Sequence, residues 1–180
     1  MMTSCQVFGA RAGRHAASTA KAKGAISIYK DLLQSKLEGI RSLKGGAGGQ
    51  KPGEVKEVLQ KKAWENLLVV RSKESLNQIL QEIARIRGEV WPHLSIENGR
   101  DLVAALELKN LMLVGEIVAC AALKRTESRG SHYREDFPER NDSDWTQAIV
   151  IKKVDGRMQL DTLKVDERWK ADQAELGWWG

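Results

Sequence analysis

A chain of 180 residues with 42% hydrophobic residues is long enough to bury the core of one domain, which excludes disorder throughout. Lys and Arg outnumber Asp and Glu by 29 to 24, for a net charge of +5 and a pI near 9.2, but acids lie among the bases almost everywhere, so a nucleic-acid surface is not favoured. Two cysteines, Cys5 and Cys120, exclude a disulfide framework and read as reduced thiols in a cytosolic protein.

The first segment, VFGARAGRHAASTAKAKG, carries Gly9, Gly13, Ala16, Ala17 and Ala20 at spacings of three and four, a helix face that lets another backbone come close. Arg11, Arg14 and His15 break any signal-peptide core. A second helix is predicted over Ala25 to Leu43, with Ile26, Tyr29, Leu32, Leu33, Leu37 and Ile40 at helical spacing. The glycines of GGAGGQKPG, Gly45 to Gly53, stop it. Without a Gly-Lys-Ser/Thr ending or a strand feeding it, this stretch reads as a flexible linker rather than a phosphate loop.

Glu54 to Val70 carries a stripe of Val55, Val58, Leu59, Ala63 and Leu67, with Trp64 beside it and expected in the core. Ser72 is the predicted N-cap of the next helix, whose Leu76, Ile79, Leu80, Ile83 and Ile86 repeat at three and four until Gly88 ends it. Beyond Trp91-Pro92-His93, Asp101 to Arg125 reads as a long, largely buried helix. Leu102, Leu106, Leu113, Ile117 and Ala121 form its expected inner face, widened by Val103, Leu111, Val114 and Val118. Its most apolar part, Leu111 to Leu123, is too short to span a bilayer.

The period then changes. Trp145 to Val154 and Arg157 to Val165 contain β-branched and apolar residues, and they flank Asp155-Gly156, which suits a two-residue hairpin turn. The tail holds Trp169, Trp178 and Trp179, whose exposure would be costly without a cover. The predicted fold is mainly α: an antiparallel helical bundle followed by a short C-terminal β-hairpin.

The stretch TESRGSHYREDFPERND, Thr126 to Asp142, is dense in charge. Ser128, Ser131, His132 and Asp136 supply the residue types of a hydrolase, but sequence neighbours rarely build a triad and no nucleophile elbow is present. His15, His93 and His132 stand alone, so no metal site is expected. Arg125, Arg129, Arg134 and Arg140 are offset locally by Glu127, Glu135, Asp136, Glu139, Asp142 and Asp144, which weakens attraction to phosphates. The favoured reading is a structural loop in which Asp136 and Glu139 accept bidentate bonds from Arg129 and Arg134, while Phe137-Pro138 turns the chain and anchors it in the core.

The run LMLVGEIVACAALKRTESRGSHYREDFPERNDSDW, Leu111 to Trp145, closely resembles the C-terminal domain of the succinate dehydrogenase and fumarate reductase flavoprotein subunit. That family has a long apolar helix, then Glu-Ser-Arg-Gly-x-His, an Arg-x-Asp-Phe/Tyr-Pro segment, acidic residues and a Trp. QVFGARAGRHAA, Gln6 to Ala17, is similar to the helix that closes the family's FAD-binding domain, and Val55 to Ile86, with Arg71, to its helical bundle.

The resemblance implies a division into residues 1–24, a remnant of the FAD-domain closing helix; 25–144, the bundle and its loop; and 145–180, the hairpin and Trp-rich tail. It implies that Val7, Phe8, Gly9 and Gly13 lie on a flavin-side helix, and that Glu127, Ser128, Arg129, Gly130, His132, Arg134 and Asp136 form a structural and interface motif. The family's nucleotide fingerprint, capping domain, substrate histidine and proton-donating Arg would all lie upstream of Met1, so no catalytic residue carries over. The complete enzyme would use FAD to interconvert succinate and fumarate, or act as a relative such as L-aspartate oxidase or adenylylsulfate reductase. This chain alone is expected to bind no FAD and to be inactive. Its expected partners are the flavin-binding domain of the same subunit and an iron–sulfur electron-transfer subunit, with no nucleic acid. Partner subunits would hold the complete enzyme peripherally at the inner face of the cytoplasmic membrane, and the bare small-residue helix leaves self-association open to the isolated chain. The alternative is a free-standing helical binding or assembly module that kept the family domain without catalysis.

Overall fold

The structure, a computed structural model, describes residues 2–24, 29–43 and 48–165. It divides into two compact units, Met1–Ser42 and Leu43–Gly180. The first contains α1 (Met2–Lys23) and α2 (Lys30–Arg41). Ile26 and part of the glycine-rich stretch lie outside the described residues, as does the tail with its three tryptophans.

The second unit is built on α3 (Pro52–Leu67), α4 (Lys73–Arg85) and α5 (Gly99–Lys124), which pack against one another pairwise. Its core joins Val55 and Leu59 of α3 to Leu76, Ile79 and Ile83 of α4 and Ala105, Leu108, Met112, Ala119 and Ala122 of α5. The helical spacing read from α4 therefore selects its buried side chains, while on α3 it selects Val55 and Leu59 but fails at Val58, which is 48% exposed. Ser72 caps α4: its hydroxyl accepts from Ser75 N and the Ser75 hydroxyl accepts from Ser72 N, a reciprocal capping box. Asn98 caps α5 by accepting from the N–H groups of Arg100 and Asp101.

Four further expectations fail here. Gly88 does not stop the helix, because the chain continues as a π-turn over Ile86–Val90 and a 3-10 turn over Trp91–His93. The wider turn keeps both Ile86 and Val90 in the core. On α5 the buried stripe is Ala105, Leu108, Met112, Ala119 and Ala122, while Val103, Leu113 and Val114 are exposed. Trp64 is 71% exposed, at the edge of an apolar groove of about 350 Å³ between α3 and α5. Finally, Gly49 and Gln50 are packed rather than free. Ser95 N donates to Gln50 O at 2.9 Å, and a Cβ on Gly49 would sit 1.6 Å from the His93 carbonyl oxygen, an approach only glycine allows.

Two short parallel strands, β1 (Val70–Arg71) and β2 (Tyr133–Arg134), tie the start of α4 to the loop after α5. The chain then makes α6 (Asp142–Trp145) and the antiparallel hairpin of β3 (Gln147–Val154) and β4 (Arg157–Lys164). The hairpin turns at Asp155-Gly156 with φ of 47° and 79°, as its sequence predicts. Among the described residues no helix is long and apolar enough to cross a membrane.

Candidate functional site: the charged loop after helix α5

The loop between α5 and α6 is folded around two buried charged side chains, Glu127 and Arg134. Glu127 Oε1 accepts from Arg125 Nη1 and from Arg129 Nε at 2.8 Å; Oε2 accepts from Arg129 Nη2 at 2.9 Å and from the Asn141 N–H at 2.9 Å. Burial alone would raise its pKa, but Arg129, the Asn141 N–H and Arg125 outweigh it and hold the carboxyl below its usual range. Arg129 also reaches Asp142 at 2.7 Å, which Arg140 shares at 2.9 Å.

Arg134 presents its Nε and Nη2 to the two Asp136 oxygens at 2.7 and 2.6 Å, a bidentate pair. Its Nη1 donates to the carbonyls of Ala122 and Arg125 at 2.6 and 3.1 Å, groups that the end of α5 leaves without helical partners. Arg134 holds the Asp136 carboxyl below its usual range, assisted by the Lys73 N–H at the first turn of α4. Asp136 is thus paired with Arg134 as the sequence suggests. Arg129 pairs instead with Glu127 and Asp142, and Glu139 contributes its backbone carbonyl, which accepts from Ser128 N at 3.1 Å. Phe137 is 39% exposed and lies against the Arg134 guanidinium rather than in the core.

Backbone geometry brings the remaining loop residues into place. Gly130, at φ +57°, turns the chain so that Arg129 and His132 exchange backbone hydrogen bonds at 2.8 and 3.0 Å. Ser128 Oγ accepts from Arg134 N at 2.8 Å and donates to Phe137 O at 2.8 Å. It is therefore occupied by backbone and not paired with His132. The His132 Nδ1 faces Arg71 Nη1 at 2.6 Å. A guanidinium only donates, so Nδ1 accepts and the ring proton sits on Nε2, which is buried and has no hydrogen-bond partner among the described residues. Burial, then the charge of Arg71, pushes the His132 pKa down.

Arg71 and Arg125 are named by the sequence reading but left out of its motif. Arg71 reaches His132 only because β1 and β2 pair, and two-residue strands have no period to detect. Arg125 lies 5.0 Å above the Trp145 ring and donates to the Gln147 carbonyl, joining the loop to β3, while Trp145 Nε1 donates to Thr126 Oγ1. The residues of the α1 set, Val7, Phe8, Gly9 and Gly13, are all exposed on their own unit. Among the described residues no three His, Cys, Asp or Glu side chains are placed to hold a metal ion.

These pKa directions set an acid response. Glu127 and Asp136 bind protons more weakly folded than unfolded, so their stabilisation is complete above their unfolded values, roughly pH 4, and is lost as pH falls through the lower folded values. His132 also binds its proton more weakly when folded, so its contribution begins to fall below about pH 6.5. The melting temperature is expected to decline shallowly from about pH 6.5 and steeply below about pH 4. A flat profile between those limits and pH 3 would contradict both assignments.

Comparison with known proteins places this architecture. The family described as "Fumarate reductase flavoprotein C-term" matches residues 56–174. A fumarate reductase (CoM/CoB) chain of Methanothermobacter marburgensis is 33% identical over 151 residues, covering 82% of this chain and 27% of that protein. The succinate dehydrogenase flavoprotein subunit of Rickettsia bellii is 31% identical over 180 residues, covering 94% and 29%. Among solved structures, the Mycobacterium smegmatis Sdh1 complex in the apo form aligns with a TM-score of 0.72 at 25% identity, over 87% of this chain and 28% of that one. An E. coli quinol fumarate reductase chain gives 0.72 at 23%, over 88% and 29%, a likeness of fold. This chain thus spans less than a third of the length of these relatives. The bundle, the arginine–carboxylate loop and the hairpin fall within the matched residues, and the chain belongs to the fumarate reductase and succinate dehydrogenase flavoprotein family as its C-terminal domain.

Proposed function

We infer that this chain serves as an architectural and subunit-interface domain of an FAD-dependent flavoprotein that passes a hydride between flavin and a dicarboxylate such as succinate or fumarate. The observation that carries this reading is the engagement of the loop's ionisable groups with one another. Glu127, Arg129, Arg134, Asp136 and Asp142 are joined in ion pairs, and Ser128 is held by backbone on both sides. A group spent on internal partners holds geometry; it is not poised to move protons. In the complete enzyme the domain would buttress the flavin-binding domain, with α1 supplying the flavin-side helix through Val7, Phe8, Gly9 and Gly13. It would offer surface to an iron–sulfur subunit, and partner subunits would bring the assembly to the inner face of the cytoplasmic membrane.

The test is the absorbance of the purified chain between about 350 and 500 nm, with and without added FAD, and fumarate reduction by reduced viologen on the same sample. No retained flavin band and no turnover are expected. Bound flavin with turnover would overturn the reading and move the cofactor onto this chain.

A further inference from the structure

Five arginines surround the loop, and four of them meet carboxylates: Arg125 and Arg129 on Glu127, Arg134 on Asp136, and Arg140 on Asp142. Arg71 differs. Its Nε donates to the Leu67 carbonyl at 3.1 Å and its Nη1 to the neutral ring of His132 at 2.6 Å, and among the described residues no carboxylate pairs with it. Its remaining N–H donors have no protein acceptor among those residues. Arg71 is half-buried as a residue, and burial lowers its pKa with no neighbouring anion to oppose this. A partly desolvated cation of this kind is costly until an anion meets it.

Arg71 and His132 line a cavity of about 520 Å³ between α5 and β3, whose other walls include Val118, Ile149 and Ile151. Arg125 also borders it, but that side chain is already committed to Glu127, the Gln147 carbonyl and the Trp145 ring. Among the described residues no acidic side chain lines the cavity. We propose that Arg71, oriented from behind by His132, anchors a binding site for one carboxylate group carried on a short apolar stem. The planar fork of the guanidinium matches a carboxylate, and the single uncompensated charge with aliphatic walls suits a monoanion better than a phosphate dianion. The ligand is either a small free carboxylate or an acidic side chain of another polypeptide segment. The inference does not depend on the family reading, and its failure leaves the flavin test untouched.

The experiment uses the whole 180-residue chain with ¹⁵N-labelled arginine and histidine. Arg71 Nε–H and the His132 ring nitrogens are followed by NMR during titration with sodium propionate, with neutral propionamide, with sodium chloride, and with an acetyl-Leu-Glu-Leu-amide peptide, all at constant ionic strength. Propionate and the peptide are expected to give saturating shifts at Arg71 and His132, whereas propionamide and chloride give none. Arg71→Gln is expected to weaken binding at least fivefold, with Arg157→Gln on the hairpin as the control that leaves it unchanged. A peptide at least tenfold tighter than propionate identifies a polypeptide side chain as the ligand; equal affinity identifies a free carboxylate. Shifts that fail to saturate, or that propionamide or chloride reproduces, overturn the proposal. Those comparisons need only the wild-type chain and so do not rely on the variant folding.

Discussion

Replacing Glu127 by glutamine is expected to destabilise the chain by about 3–5 kcal/mol, the usual cost of removing one partner from a buried ion pair. The carboxylate is 0% exposed and collects donors from Arg125, Arg129 and the Asn141 backbone. Glutamine has nearly the same shape, but it would turn an amide NH₂ toward donors and leave two guanidinium groups without their common anion. The two arginines are not equally hurt. Arg129 keeps Asp142, which is exposed, and Arg125 keeps the Trp145 and Gln147 carbonyls. The loss should therefore fall mainly on the Asn141 turn and on the seating of α6 against the end of α5. Urea unfolding of the wild type and Glu127→Gln, compared at constant m-value, measures it. A difference below about 1 kcal/mol would put Glu127 in the class of exposed surface pairs and sink the assignment. Salt offers a second check, because a buried pair is screened less than an exposed one.

The sequence carried those parts of the fold that depend on local rules. The α4 repeat of Leu76, Ile79, Ile83 and Ile86 is buried as read, Ser72 caps the helix, and Asp155-Gly156 turns the hairpin. Each has a single period or a single turn chemistry to obey. The face of α5 was not legible for the opposite reason. This helix is apolar nearly all round, so periodicity cannot choose between the stripe through Ala105 and Met112 and the one through Leu106 and Leu113; packing against α3 and α4 decides. Trp64 and Phe137 mislead in another way, since large aromatic surface predicts burial against something without saying that it lies within this chain.

Partner choice inside the charged loop was half legible. Arg134 and Asp136 stand two apart and do pair, whereas Arg129 has Glu127 two residues before it and several acids from Glu135 to Asp144 after it. Arg129 takes Glu127 and Asp142, while Gly130 just after it turns the backbone toward His132, a geometric outcome no charge count contains. The Arg71–His132 contact was the least visible, because it spans 61 residues and depends on β1 pairing with β2.

Arg134→Ala is expected to cost as much as the Glu127 change, about 3–5 kcal/mol, and to act on two helices at once. The side chain is 1% exposed. One nitrogen covers the Ala122 and Arg125 carbonyls at the C-terminus of α5, where a positive charge favours the helix dipole, and the fork holds Asp136. Asp136 in turn accepts from Lys73 N at the N-terminus of α4, where a negative charge is favoured. A single ion pair therefore joins the negative end of one core helix to the positive end of another. Removing the arginine frees the α5 carbonyls, strands Asp136 and loosens the start of α4. Lysine keeps the charge but cannot serve carbonyls and carboxylate together, so Arg134→Lys should lose a substantial part of the stability as well, on the order of 2 kcal/mol. Hydrogen exchange distinguishes this from general weakening: below the global unfolding limit, protection should drop first at the amides of Leu76 and Arg125, which donate to Ser72 O and Ala121 O in the two helix ends, while Leu108 and Met112 in mid-helix hold theirs. Equal loss at all four amides would mean that Arg134 contributes only to overall stability and does not clamp the two termini together.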